Sequence, residues 1–98
     1  MGTIYVHGEL IEKEEIPALS FPAKDVLVAE ESINERSSKI RQAMRLGNSA
    51  KLKVKIVFED NQSMKIVETT IWGMTDKRVI LKKSIAIPIC RIHDIKFF

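Results

Sequence analysis

Ninety-eight residues, 45% hydrophobic and 30% charged, suffice for one modest core and exclude wholesale disorder. The net charge of +3 conceals a division: residues 1–35 hold two basic side chains against eight acidic ones, and residues 36–98 fourteen against five. A single cysteine, Cys90, excludes an internal disulfide and points to a reducing compartment.

The opening segment, "MGTIYVHGELIEKEE", lacks the basic-then-apolar order of a secretion signal, and Val6 stands where a myristoylation signal wants Ser or Thr. No apolar run approaches the length of about twenty residues that spans a bilayer. A cytoplasmic protein without a membrane partner is expected.

Within "TIYVHGELI" the residues before Gly8 are strand-like and predict a short edge strand. Residues 12–25 contain Pro17 and Pro22, each of which fixes its own φ and restricts the residue before it. They predict an irregular segment wrapped on the body, with Ile16, Leu19 and Phe21 as anchors. "DVLVAE" fits a short strand and an early helical turn equally well. In "SINERSSKIRQAMRLGN", Ser32 and Glu35 have capping-box spacing, and Ile33, Ser37, Ile40 and Met44 form an apolar stripe at helical period. Arg36 and Lys39 flank that stripe on one side, Arg41 and Arg45 on the other. Gly47 suits a left-handed stop. The prediction is a helix over 32–46.

From Lys51 the period changes to two. In "KLKVKIVFE" Leu52, Val54, Ile56 and Phe58 point one way, and Lys51, Lys53 and Lys55 the other. "DNQS" is a turn and "MKIVETTIW" the returning strand of a hairpin. The adjacent apolar pair Ile66–Val67 predicts a bulge or bend at that point. "RVILK" follows, then a tight turn at "KS". "IAIPIC" is placed at a sheet edge by Pro88, which cannot donate to a neighbour. Ile92 and Ile95, three apart in "RIHDIKFF", predict one turn of tight helix before a last strand.

These elements predict an α+β fold in one domain. Residues 1–31 form an acidic arm, and residues 32–98 a helix with a strongly bent five-stranded antiparallel sheet. Over about 33–97 the element order resembles the small SH3-like and Sm-like barrels; the alternative is an open antiparallel sheet packed on the helix. The run "ERSSKIRQAMRLGN…KVKIVFED…VETTIWGMTDKRVILKKSIAIPICRIHDIKF" resembles a family of short bacterial proteins without an assigned activity. That resemblance implies no cofactor, catalytic residue or site residue.

"CRIHD" is the one cluster hinting at nucleophilic chemistry, because a thiolate needs an imidazole beside it. Without a glycine-rich loop or helix start to serve an oxyanion, Cys90 reads as a packing thiol and His93 as a surface residue. His7, His93 and Cys90 make no zinc spacing, and four scattered glycines make no nucleotide loop, so no metal, cofactor or enzyme activity is expected. Trp72 reads as core filling near a sheet bend, and as a contact residue if it faces outward. Lys51, Lys53, Lys55 and Lys65, with Arg41 and Arg45, form the candidate surface for a polyanion or partner, joined by Trp72. Lys82 and Lys83 sit at a hairpin tip. RNA or single-stranded DNA would be bound if such cations shared a face, but the Asp-x-x-Met-Asn and Arg-Gly signatures of Sm-like RNA binders are missing. The acidic side chains Glu9, Glu12, Glu14, Glu15, Glu30 and Glu31 offer to neutralise the lysines within the chain or across a homo-oligomer. The expected function is a small non-catalytic module for an unknown protein partner; the alternative is nucleic-acid binding.

Overall fold

A computed structural model describes residues 8–97. The strand-like residues before Gly8, and His7, lie outside that range. Among the described residues, seven strands run in chain order as β1 (Glu9–Ile11), β2 (Val54–Glu59), β3 (Met64–Thr69), β4 (Ile71–Met74), β5 (Arg78–Leu81), β6 (Ala86–Pro88) and β7 (Ile92–Lys96). One long helix, α1 (Glu30–Ala50), precedes β2. The fold is α+β, and its strands form two sheets rather than the expected single five-stranded one. The first has the order β1-β3-β2-β7, with β1 parallel to β3 and the other pairs antiparallel. The second, β4-β5-β6, is antiparallel throughout. They do not close into a barrel. The open arrangement packed on the helix is the one adopted, with α1 lying against β4 and β7.

The bend expected at Ile66–Val67 falls instead at Thr70. Alternation in β3 stays strict, with Lys65, Val67 and Thr69 buried and Met64, Ile66 and Glu68 on the other face. The chain leaves β3 after Thr69 and enters the second sheet at Ile71. The spacing of Ile92 and Ile95 also has a different cause. Phe58 pairs with Ile92 but Val57 pairs with Asp94, so β7 carries an extra residue. That bulge turns both isoleucines inward, at 0% and 1% exposure. The tight helical turn exists three residues earlier, at Ile89–Arg91.

Helix α1 exceeds the expected 32–46 at both ends. Ala29 is its N-cap, so Ser32 and Glu35 lie inside and form no capping box. Glu30 and Glu31 occupy the first turn, where negative charge suits the helix dipole. Gly47 does not stop the helix. A Cβ there would overlap the Ile71 carbonyl oxygen and come within 2.8 Å of Thr70 Cγ2, so this glycine lets the helix touch the backbone at the bend. The left-handed position falls to Lys51 (φ 55), whose N–H donates to the Gly47 carbonyl at 3.0 Å. The buried face is therefore Arg36, Ile40, Ala43 and Gly47; of the expected stripe only Ile40 is fully enclosed.

The core lies between the two sheets and the helix, built from Val54, Ile56, Phe58, Val67, Ile71, Val79, Leu81, Ile87, Ile92 and Ile95 with Ile40. The arm is part of it. A tight helical turn at Lys13–Ala18, closed by a reciprocal Glu12–Glu15 capping box, presses Ile16 inward to 2% exposure. Phe21 meets Phe58 with ring centroids 6.0 Å apart. Two buried arginines then pin the arm. Arg36 makes a two-pronged pair with Asp25, both contacts 2.9 Å, and donates to the Ile92 carbonyl at 3.1 Å. Arg91 donates to the carbonyls of Lys24, Glu59 and Asp60. Residues 26–28 are neither strand nor helix, and Val26 N–H donates to the Cys90 carbonyl at 2.9 Å.

Candidate functional site

The seven residues singled out from the sequence do not meet on one surface. Lys51 and Lys53 are exposed at the entry to β2, where Lys53 borders a groove with Leu46, Leu52 and Phe97. Lys55 is half-buried between Glu68 of β3 and Lys96 of β7. Arg41 and Arg45 are exposed on the helix and face Met74, Thr75 and Asp76 at the β4–β5 turn. Lys65 is not on the wet face at all. It shares the interior side of β3 with Val67 and Thr69 and is 8% exposed.

That ammonium lies 2.8 Å from Ser63 Oγ, 3.2 Å from Asp60 Oδ2 and 3.9 Å from Glu9 Oε1. Asp60 is the knot of the β2–β3 turn, its Oδ1 accepting the N–H groups of Gln62 and Ser63. Burial alone would push its carboxyl up; those backbone N–H groups and Lys65 outweigh burial and hold it below the usual carboxylate range. Lys65 is thus a clamp for a turn. Its stem fills the open end of the interior while its head stays polar.

Trp72 departs from the core reading and is 47% exposed. Ile71 pairs with Leu81 and Gly73 with Ile80, so Trp72 is the bulged residue of β4, and the extra residue turns its indole outward. Beneath it the central strand β5 alternates, Val79 and Leu81 inward, Arg78 and Ile80 outward. Trp72, Ile80, Lys82, Lys83 and Ser84 border a shallow depression of about 260 Å³. Lys83 (φ 65) and Ser84 (φ 61) both adopt left-handed backbone, the conformation a tight hairpin with matching twist demands. The turn therefore places Lys82 and Lys83 at the same depression as Trp72. The "KKS" between two alternating runs was the available signal for the turn, but nothing in the sequence placed Trp72 against it.

The acidic arm approaches Lys65 of the lysine row through Glu9 and this tip through Glu14. The Glu14 carboxyl is held below its usual range by backbone hydrogen bonding in the tight turn and by Lys13 at 3.3 Å, with a small contribution from Lys83.

The "CRIHD" cluster is pulled apart. The Cys90 thiol donates to the Ala23 carbonyl at 3.5 Å and faces the groove beside the arm. His93 Nε2 is 2.8 Å from Glu59 Oε1 and faces a different hollow, with Leu27, Ser32 and Lys39. Among the described residues no three His, Cys, Asp or Glu side chains gather as metal ligands. No helix among them is long and apolar enough to cross a membrane.

Comparison with protein-family models, with curated proteins and with solved structures finds no match to this chain. The functional reading rests on the molecule's own surface.

Proposed function

We propose that this protein is a small, non-catalytic interaction module whose contact face is the outer side of the β4–β5–β6 sheet, with Trp72 as anchor and an acidic protein segment as partner. The exposed indole carries the proposal. A tryptophan brings roughly 150–250 Å² of surface, so leaving about half of it wet forgoes about 2–3 kcal/mol of burial. A partner's surface recovers that. Ile80 supplies an apolar floor and Lys82 and Lys83 a cationic rim, the combination that seats an apolar residue flanked by carboxylates. Cys90 and His93, held by different partners, support the non-catalytic half of the reading.

Single-stranded RNA or DNA is the second reading, now on this face instead of the lysine row, because an indole beside two lysines can stack a base and meet its phosphates. A lone indole offers one stacking position, and among the described residues the other exposed aromatic, Phe97, sits in the groove of Leu52 and Lys53. That favours the protein partner.

A photoreactive aromatic residue at position 72, irradiated in cells, tests both. The expected result is a discrete protein adduct that disappears when Lys82→Glu and Lys83→Glu are added. An adduct that yields oligonucleotide on digestion selects the second reading. No adduct from position 72, alongside a discrete one from position 53, sinks the face itself.

A further inference from the structure

A larger groove, about 520 Å³, runs between the arm and the ends of β5 and β6, a size typical of small-ligand sites. Its apolar surfaces are Phe21 and Pro22 on one wall and Pro88 and Ile89 on the floor. The facing wall is the β4–β5 turn with Lys77 and Arg78. Hydrogen bonds to main-chain carbonyls hold both walls. Ile89 N–H donates to the Lys77 carbonyl at 2.9 Å, Val26 N–H to the Cys90 carbonyl at 2.9 Å, and Arg91 Nη1 to the Lys24 carbonyl at 2.8 Å. The opening is thus set before anything enters it, which lowers the entropic cost of binding.

Its charges are unevenly satisfied. Asp25 is occupied by Arg36 through two 2.9 Å bonds. The side chains of Lys77 and Arg78 make no ion pair or hydrogen bond among the described residues, and only the Asp76 carboxylate stands near them to offset two cations. Arg36, 4% exposed and lining the same groove, has an Nε donor with no acceptor among the described residues. Flat apolar surfaces beside under-compensated cations describe one class of ligand.

We propose that this groove binds a small organic anion. Its phosphate or carboxylate is met by Lys77 and Arg78, and its flat apolar body lies between Phe21–Pro22 and Pro88–Ile89. The groove shares no lining residue with the depression at Trp72, and its occupancy does not depend on that indole.

Cys90 lines the groove and is the only thiol in the chain, so its alkylation by iodoacetamide reports occupancy without a label. The probes are adenosine monophosphate and indole-3-acetate, a phosphate and a carboxylate on flat bodies, added to the full chain. The expected result is saturable slowing of Cys90 alkylation by at least one of them. Lys77→Glu with Arg78→Glu should weaken that protection by about tenfold or more, the loss of one charge-assisted contact being worth a decade. Lys77→Ala serves the same purpose if charge reversal disturbs the turn. Lys53→Glu, a like change of charge elsewhere on the surface, should leave protection unchanged. No slowing by either probe at millimolar concentration overturns the proposal. So does equal slowing by inorganic phosphate, or protection that survives both cation variants.

Discussion

Arg36 illustrates how one side chain can belong to three parts of a fold. It projects from the buried face of α1, grips Asp25 of the arm with both terminal nitrogens, and reaches the Ile92 carbonyl of β7. Hydrogen bonding from this guanidinium holds the Asp25 carboxyl below its ordinary range, against the opposing effect of burial. Asp60 is lowered too, by backbone N–H groups and Lys65 that outweigh its burial. Both carboxyls therefore release their protons more readily folded than unfolded. Their stabilisation is complete above the unfolded value of 3.8 and drains away as pH falls through the lower folded values. Thermal melts followed by circular dichroism should give a nearly constant Tm between about pH 7 and about pH 5 and a steep fall below about pH 4. Asp25→Asn leaves the buried Arg36 charge unmatched. Discounted for the partial exposure of Asp25, the cost is about 2 kcal/mol, or a Tm roughly 10 °C lower at neutral pH. The same variant should show a shallower acid slope, and an unchanged slope would remove Asp25 from this account.

At the scale of elements, the contact between α1 and the bend at Thr70–Ile71 decides the architecture. Helix propensity alone favours Gly47→Ala by about 1 kcal/mol. Here the added methyl meets backbone, the Ile71 carbonyl, and cannot be accommodated by a side-chain rotation. Overpacking of that kind costs about 1–3 kcal/mol, so a net loss is expected despite the better helix former. A urea midpoint that falls in the Gly47→Ala variant confirms the close approach; one that rises shows the helix free to shift. The glycine was visible in the sequence, and its role was not. A glycine near a helix end reads as a left-handed stop, and only the neighbouring strand reveals that it is a point of contact. Likewise Ile92 and Ile95 share a face through a bulge, which their spacing cannot distinguish from a helical turn.

Across the whole molecule, the arm packs on the body and shares its core. Ile11, Ile16 and Phe21 pack into or against the core, and Lys24 and Asp25 give the buried arginines their partners. At about 1.5–3 kcal/mol for each buried aliphatic or aromatic side chain, these three residues contribute on the order of 5 kcal/mol. That rivals the total stability of a small domain, about 5–15 kcal/mol. A chain beginning at Glu31 should therefore lose its cooperative thermal transition and the dispersion of its amide NMR spectrum. A truncated chain that melts as sharply as the full one would make the arm an accessory. Among the described residues, Glu9 of the arm approaches Lys65 of the lysine row, and Glu14 acts weakly on Lys83 at the hairpin tip.

By itself the sequence determined what depends on neighbours along the chain. The two-residue period from Lys51 onward specifies strands, "DNQS" a turn, Pro88 an edge, and residues 32–46 a helix, because backbone geometry ties side-chain direction to spacing. Tertiary structure alone decided which surfaces those elements share. It turned Trp72 out on a bulge and brought it to Lys82 and Lys83, drew Lys65 inward to clamp Asp60, and set the arm across from Lys77 and Arg78 to make a groove. Each of these follows from pairing register and from where one layer rests on another, quantities fixed by residues far apart in the chain.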